Sequence, residues 1–201
     1  MSEIKSNKIS PATGTAFTFG DSGDTFTIPS GATIANSGTA TGFGSDNTPA
    51  FQAYLSANIT LPDNTWTKVL SNTEDFDTDS AYDNSTNYRF TVPSGEGGKY
   101  FLYFYTIIYS SGGSAFAIVD TVIQIRVNAE TDTTARFSVP NYDYGGASYQ
   151  ACSATGITEL SAGDYVEFYA KCNVSPGYNS YLSGAATGHP TMVGAYKMIG
   201  L

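Results

Sequence analysis

Asp75, Asp77 and Asp79 at alternate positions, with Asp83 close behind, are the residues of this chain best spaced to hold a cation. Aspartates at spacing two open the calcium loop of an EF-hand. The sixth position of such a loop is Ser80 instead of Gly, the twelfth is Thr86 instead of Glu, and no helical pattern flanks the run. The segment is therefore not an EF-hand. It reads as an acidic, solvated loop whose carboxylates cap turns. Ca2+ held in another geometry by some of these aspartates stays open, and no other cofactor is expected. His189 is the only histidine and has no second His or Cys near it in sequence, so a zinc site is not expected. Neither a Gly-x-Ser-x-Gly elbow nor a phosphate-binding loop is present. A glycosidase needs two carboxylates across a sugar cleft. Most of the Asp and Glu here fall in expected turns, so a pair would have to assemble across a subunit cleft. The chain is read as a binding protein and not as an enzyme. Cys152 and Cys172 lie ten residues either side of Ala162, at similar heights on successive strands. A disulfide is sterically allowed, but free thiols packed in the core are the expected state for assembly in a reducing cytosol.

These groups must be positioned by β-structure. Only 13% of the 201 residues are charged and 14% are aromatic, with 21 Gly and 15 Tyr. Such a composition favours strands and tight turns. No apolar run is long enough to span a bilayer as a helix, and no export signal is read at the N-terminus. The net charge is −9, without a basic cluster. Phosphate neutralisation needs such a cluster, so nucleic acid is excluded as a partner.

Residues 1–44 differ from the remainder. Phe17/Phe19 and Phe26/Ile28 alternate with polar residues as short strands do, between the turn signals Gly20-Asp21-Ser22-Gly23 and Pro29-Ser30-Gly31. Three copies wound together could bury these few side chains, so the segment reads as a short fibrous shaft. Its first twelve residues read as disordered or as reserved for docking to another protein. From residue 45 to 201 the pattern is a β-sandwich, with strands expected over 50–57, 64–71, 87–92, 99–109, 116–128, 133–139, 148–158, 164–172 and 190–199. In Val119–Val127, alternate residues Val119, Thr121, Ile123, Ile125 and Val127 should face the core, while Asp120, Gln124 and Arg126 face water. Residues 100–109 are apolar on both faces. A sandwich covers one face, so the other must meet a second chain. Phe101, Leu102, Tyr103, Phe104 and Tyr105 are the expected interface residues.

The ordered set Pro49–Ser56, Trp66–Val69, Tyr82-Asp83, Tyr88–Pro93, Gly98–Phe101 and Ile157–Val166 resembles the globular head of complement component C1q and its tumour-necrosis-factor-like relatives. Its most specific part is Leu-x-x-Gly-Asp-x-Val at Leu160–Val166. The resemblance implies a jelly roll and a homotrimer with strand 100–109 against the three-fold axis. It also implies a surface-binding role. No Gly-X-Y run supplies a collagen stalk. Residues Gly20–Ile34 resemble short repeats of tailed-phage fibre proteins. Together these imply a virion fibre or spike head, docked to other virion proteins through its N-terminus and assembled in the host cytoplasm. A head fibre or capsid decoration protein, and a non-viral secreted lectin, are the alternatives.

Strand parity assigns the loops to two ends. The basal turns are 93–98, 128–133 and 159–164. The distal loops are 109–115, 140–148 and 173–190, joined by the acidic connection around 72–86. The distal set is rich in Tyr, Asn, Ser and Gly, the vocabulary of binding loops. Asn141, Tyr142, Tyr144, Tyr178, Asn179 and Tyr181 are the expected contacts to a host-surface receptor, a glycan for preference, with a protein as the other choice.

Overall fold

The computed structural model describes residues 11, 13–16, 18, 20–33, 35, 47–111, 117–185 and 187–199, with the backbone alone for 143–147. The chain divides into two compact units, Met1–Phe43 and Gly44–Leu201.

In the first unit, Asp24 N–H donates to the Asp21 carbonyl and Ala32 N–H to the Pro29 carbonyl, both at 3.0 Å. These are the two turns that Gly23 and Gly31 signal, each glycine at positive φ. No strand forms among its described residues. Phe26 is 66% exposed, so the alternation at Phe26 and Ile28 is not met by a ladder. A strand needs a partner, and one copy of this short segment supplies none. Phe17, Phe19, Ile34 and Phe43 fall outside the described residues.

The second unit is all-β. Its strands are β1 Ala50–Tyr54, β2 Ala57–Leu61, β3 Thr67–Lys68, β4 Thr73–Asp77, β5 Tyr82–Asp83, β6 Arg89–Thr91 and β7 Gly98–Ser110, then β8 Ile118–Val127, β9 Phe137–Ala147, β10 Tyr149–Leu160, β11 Tyr165–Val174, β12 Ser180–Ala185 and β13 Met192–Lys197. They form two sheets. In the first, β7 is central. It pairs with β10 along its whole length on one side, and on the other with β13 and then, near its end, β12. The strands β1 and β4 extend this sheet beyond β13, and β2 extends it beyond β12. The second sheet runs β5-β6-β11-β8-β9, with β3 also on β11. Sequence-distant strands sit side by side in two facing antiparallel layers, which is a jelly roll.

The core lies between the layers. Along β7 the burial alternates without interruption, with Tyr100, Leu102, Phe104, Thr106 and Ile108 turned inward. Phe104 meets Phe168 of β11 edge-on at 5.7 Å. Phe51 of β1 stacks on Tyr82 at 4.5 Å and on Phe90 at 5.1 Å. Gly156 of β10 has a packing reason. A Cβ there would lie 2.1 Å from the Phe137 ring, which reaches over from β9 to fill that place.

Several expectations change. Leu102 and Phe104 are fully buried within one chain, so a second chain cannot reach them; only Phe101, Tyr103 and Tyr105 face outward. Residues 140–148 are not a loop, because β9 continues through them to Ala147. Pro140 stands within β9, which among the described residues pairs with β8 alone, and an edge strand tolerates a residue without N–H. Likewise β12 occupies part of 173–190, and β4 and β5 occupy part of the acidic connection. Val119 is exposed and Ile118 buried, since a register shift between Ile118 and Asp120 turns the strand by one residue. Gln124 and Arg126 face away from the core but are buried nonetheless. The Arg126 guanidinium lies 4.7 Å from the Trp66 ring centre and 4.1 Å from that of Tyr169.

Candidate functional site

The outward side of the first sheet is aromatic. Phe101, Tyr103, Tyr105, Ile107 and Tyr109 project from β7 at alternate positions, all half-buried. Across the β13 register, Tyr196 stands opposite Phe101 and Met192 opposite Tyr105. The Phe101 and Tyr196 rings are 5.3 Å apart. Between them Gly194 stands opposite Tyr103, and a Cβ there would meet the Tyr103 ring at 2.2 Å and the Phe51 carbonyl oxygen at 2.7 Å. Glycine thus lets Tyr103 lie flat across β13 to donate its hydroxyl to Gln52 Oε1 at 2.7 Å. Burial pushes the Tyr103 phenol up to about 12, with the carboxylate of Asp75 adding to it, so it remains a donor at neutral pH. Gln52 Nε2 in turn donates to Asp75 Oδ2 at 2.7 Å. His189 stacks on Tyr54 at 3.8 Å, with Nδ1 3.5 Å from the same carboxylate oxygen. The lone histidine therefore holds the margin of this face.

At the end of β7 three loops meet. Ser110 N–H donates to the Ser148 carbonyl, Ser111 N–H to that of Asn179, and Ser175 N–H to that of Ala117. Tyr109 stacks between Tyr149 at 5.7 Å and Tyr181 at 5.2 Å, forming a row across β10, β7 and β12. Asn58 Nδ2 fixes the Tyr109 hydroxyl from the side at 2.8 Å. At the opposite end Gly163 N–H donates to the Val92 carbonyl, Asn128 N–H to Tyr165 and Met198 N–H to Lys99. Glu96 pairs with Lys197 there at 2.9 Å, and Glu130 with Arg136 at 3.0 Å.

The expected contact residues scatter over this frame. Tyr181 belongs to the tyrosine row, and Asn179 is exposed at the same end. Tyr142 is 63% exposed but sits on β9, opposite Asp120, on the outward side of the other sheet. Asn141, its neighbour, is half-buried and turns the other way, toward the buried Cys152 thiol, away from the side that Tyr142 occupies. Tyr178 is half-buried, with part of its ring packed against the core. The Tyr144 side chain falls outside the described residues. Tyr109 and Tyr149 border the expected loops, and cross-strand pairing is what singles them out. Tyr196 and Met192 follow from the alternation of the last strand.

The acidic segment turns toward the base, where Thr78 N–H donates to the Ala50 carbonyl, and not toward the tyrosine end. An open cleft of about 530 Å3 lies there, lined by Asp79–Ser85 and Thr91–Pro93. Its carboxylates are engaged in turns. Asp77 accepts from the backbone of Tyr82 at 2.8 Å. Asp83 accepts the N–H groups of Thr86, Ser85 and Asn87, which hold its carboxyl well below the usual range. Among the described residues, no group of three or more His, Cys, Asp or Glu is placed to hold a metal ion. Both cysteines are free and buried, and desolvation pushes the Cys172 thiol up to about 11.

No family model matches the chain, and no curated protein sequence matches it significantly. Among solved structures, the globular domain of zebrafish complement 1qA is similar with a TM-score of 0.46 at 14% identity, over 73% of this chain and 95% of that one. Murine APRIL, in a crystal structure at pH 5.0, is similar with a TM-score of 0.49 at 16% identity, over 74% of this chain and 98% of that one. Both likenesses are of fold alone.

Proposed function

We propose that this chain is a non-catalytic, self-associating binding head, a homotrimer that belongs to the fibre or spike of a tailed phage. The observation that carries self-association is the row of half-buried Phe101, Tyr103 and Tyr105 with exposed Tyr196 beside it on the outward side of the first sheet. Contiguous aromatic surface of this kind is uncommon on monomers and marks an interface. The virion assignment is supported by the turn-punctuated segment before residue 44 and its likeness to fibre repeats. That segment is the proposed attachment to other virion proteins.

Receptor contact is proposed for the tyrosine end, with Tyr149 and Tyr181 as stacking planes, Asn179 as a hydrogen-bonding neighbour and Tyr142 as an outlying contact. Tyr149 is 70% exposed and made rigid by its stack on Tyr109. A rigid, exposed phenol suits the C–H face of a sugar ring. On a glycan array, Tyr149→Ala combined with Tyr181→Ala is expected to lower binding at least tenfold, since each such truncation costs about 1–3 kcal/mol at a hot spot and valency multiplies the loss. Glu159→Ala at the basal end is expected to change nothing. Equal binding by both variants removes the receptor assignment. Gold-labelled antibody to the chain is expected at fibre tips of intact particles. Label spread over the capsid favours the decoration reading, and no label removes the virion assignment.

A further inference from the structure

The outward side of the second sheet differs in chemistry from everything above. Seven of the chain's nine Lys and Arg lie beyond residue 44, and four of them, Lys68, Arg89, Arg126 and Lys171, share this face around β11. Among the described residues, Lys68 alone of the four has a carboxylate partner, Glu167 at 2.6 Å. The other three meet rings. Arg89 lies 4.3 Å from the Tyr165 ring centre, Lys171 lies 5.3 Å from that of Trp66, and Arg126 is held between Trp66 and Tyr169. A cation over a ring is held in place yet keeps its charge for an anion. At the centre of the cluster, Arg126 is 8% exposed, and its Nη2 and the Trp66 Nε1 are both buried with no acceptor among the described residues. Buried donors without acceptors are rare and costly. Glu167 accepts from Lys68 and Tyr169, and Gln124 Oε1 accepts from Arg126 Nε at 2.9 Å, so these acceptors are taken while Arg89 and Lys171 keep charge without a carboxylate partner among the described residues, on a chain of net charge −9.

We propose that this face binds a carboxylated polysaccharide, with Trp66, Tyr165 and Tyr169 as stacking planes, Arg89 and Lys171 as partners of the carboxylates, and the buried Arg126 adding its positive field from below. Flat rings set along a sheet suit pyranose faces. Three cations without a carboxylate partner, on an acidic protein, suit one carboxylate per sugar better than the dense charge of a polyphosphate. The inference rests on the reading of the chain as a surface-binding head, but it uses the sheet opposite to the tyrosine row.

Trp66 is the only tryptophan, so its fluorescence reports on this face alone. Polygalacturonate added to the full chain at low salt is expected to change Trp66 emission saturably, and the affinity is expected to fall as salt is raised. Arg89→Gln and Lys171→Gln, both at partly exposed positions, are each expected to weaken binding about fivefold with the circular dichroism unchanged. Neutral dextran and polyglutamate are expected to leave the emission unchanged. No response to polygalacturonate overturns the proposal. So does an equal response to dextran or polyglutamate, or unchanged affinity in both variants. The Tyr149→Ala, Tyr181→Ala chain should still bind polygalacturonate. Its loss of array binding with polygalacturonate binding retained separates failure at one surface from failure at the other.

Discussion

A Phe101→Lys chain is expected to be a folded monomer. Phe101 projects outward from β7, against Tyr196 and within 6.3 Å of the Tyr103 ring centre. In a single chain it is half-buried, so a lysine there can lift its ammonium into water along its own stem. The sandwich loses little. In a trimer the same position is proposed to close against two other copies, and three ammonium groups would be brought together without a counter-charge. Desolvation and mutual repulsion then cost several kcal/mol per site, enough to dissociate an assembly at micromolar concentration. Circular dichroism should match the unmodified chain while the mass by sedimentation falls to that of one copy. A Phe101→Lys chain that keeps the assembled mass contradicts this assignment of the face.

Leu102→Lys, one residue along, is expected to prevent folding altogether. Leu102 is fully buried, flanked by Ala195 of β13 and Gly156 of β10 in the pairing register. An ammonium has no route to water from there and no carboxylate opposite it. A domain of this size has about 5–15 kcal/mol of total stability, and an unpaired buried charge consumes a large part of it. The expected readout is aggregated or soluble protein without a cooperative thermal transition. A cooperative melt within a few degrees of the unmodified chain would mean that the inward and outward faces of β7 have been exchanged.

That contrast marks how far the sequence could be read. Residues 100–109 are apolar at every position, so periodicity says that both faces are covered but not which one meets the core. The answer lies in the partners. Phe104 meets Phe168, and that contact spans 64 positions of chain. The all-β class and a strand over 99–109 were legible, because turn residues such as Gly163 and the alternation in β10 and β11 are local signals, whereas the jelly roll came from the resemblance. The contact residues were less so. Asn141 and Tyr142 are neighbours in sequence, yet pleating sends one to Cys152 and the other to solvent. The strand expected to end at residue 139 runs on to Ala147 at the sheet edge, where Pro140 is tolerated. Arg126 looked like a wet-face residue because nothing local shows that Trp66, sixty positions earlier, folds over it. The tyrosine row is likewise a cross-strand object, assembled from β7, β10 and β12.

The central claim is that the outward side of the first sheet is covered by further copies of the chain. Light scattering coupled to size exclusion, on the unmodified full-length protein at micromolar concentration, measures this most directly. The account predicts a single species of three times the 21.3 kDa chain mass. A single species of one chain mass, stable over that concentration range, would contradict it.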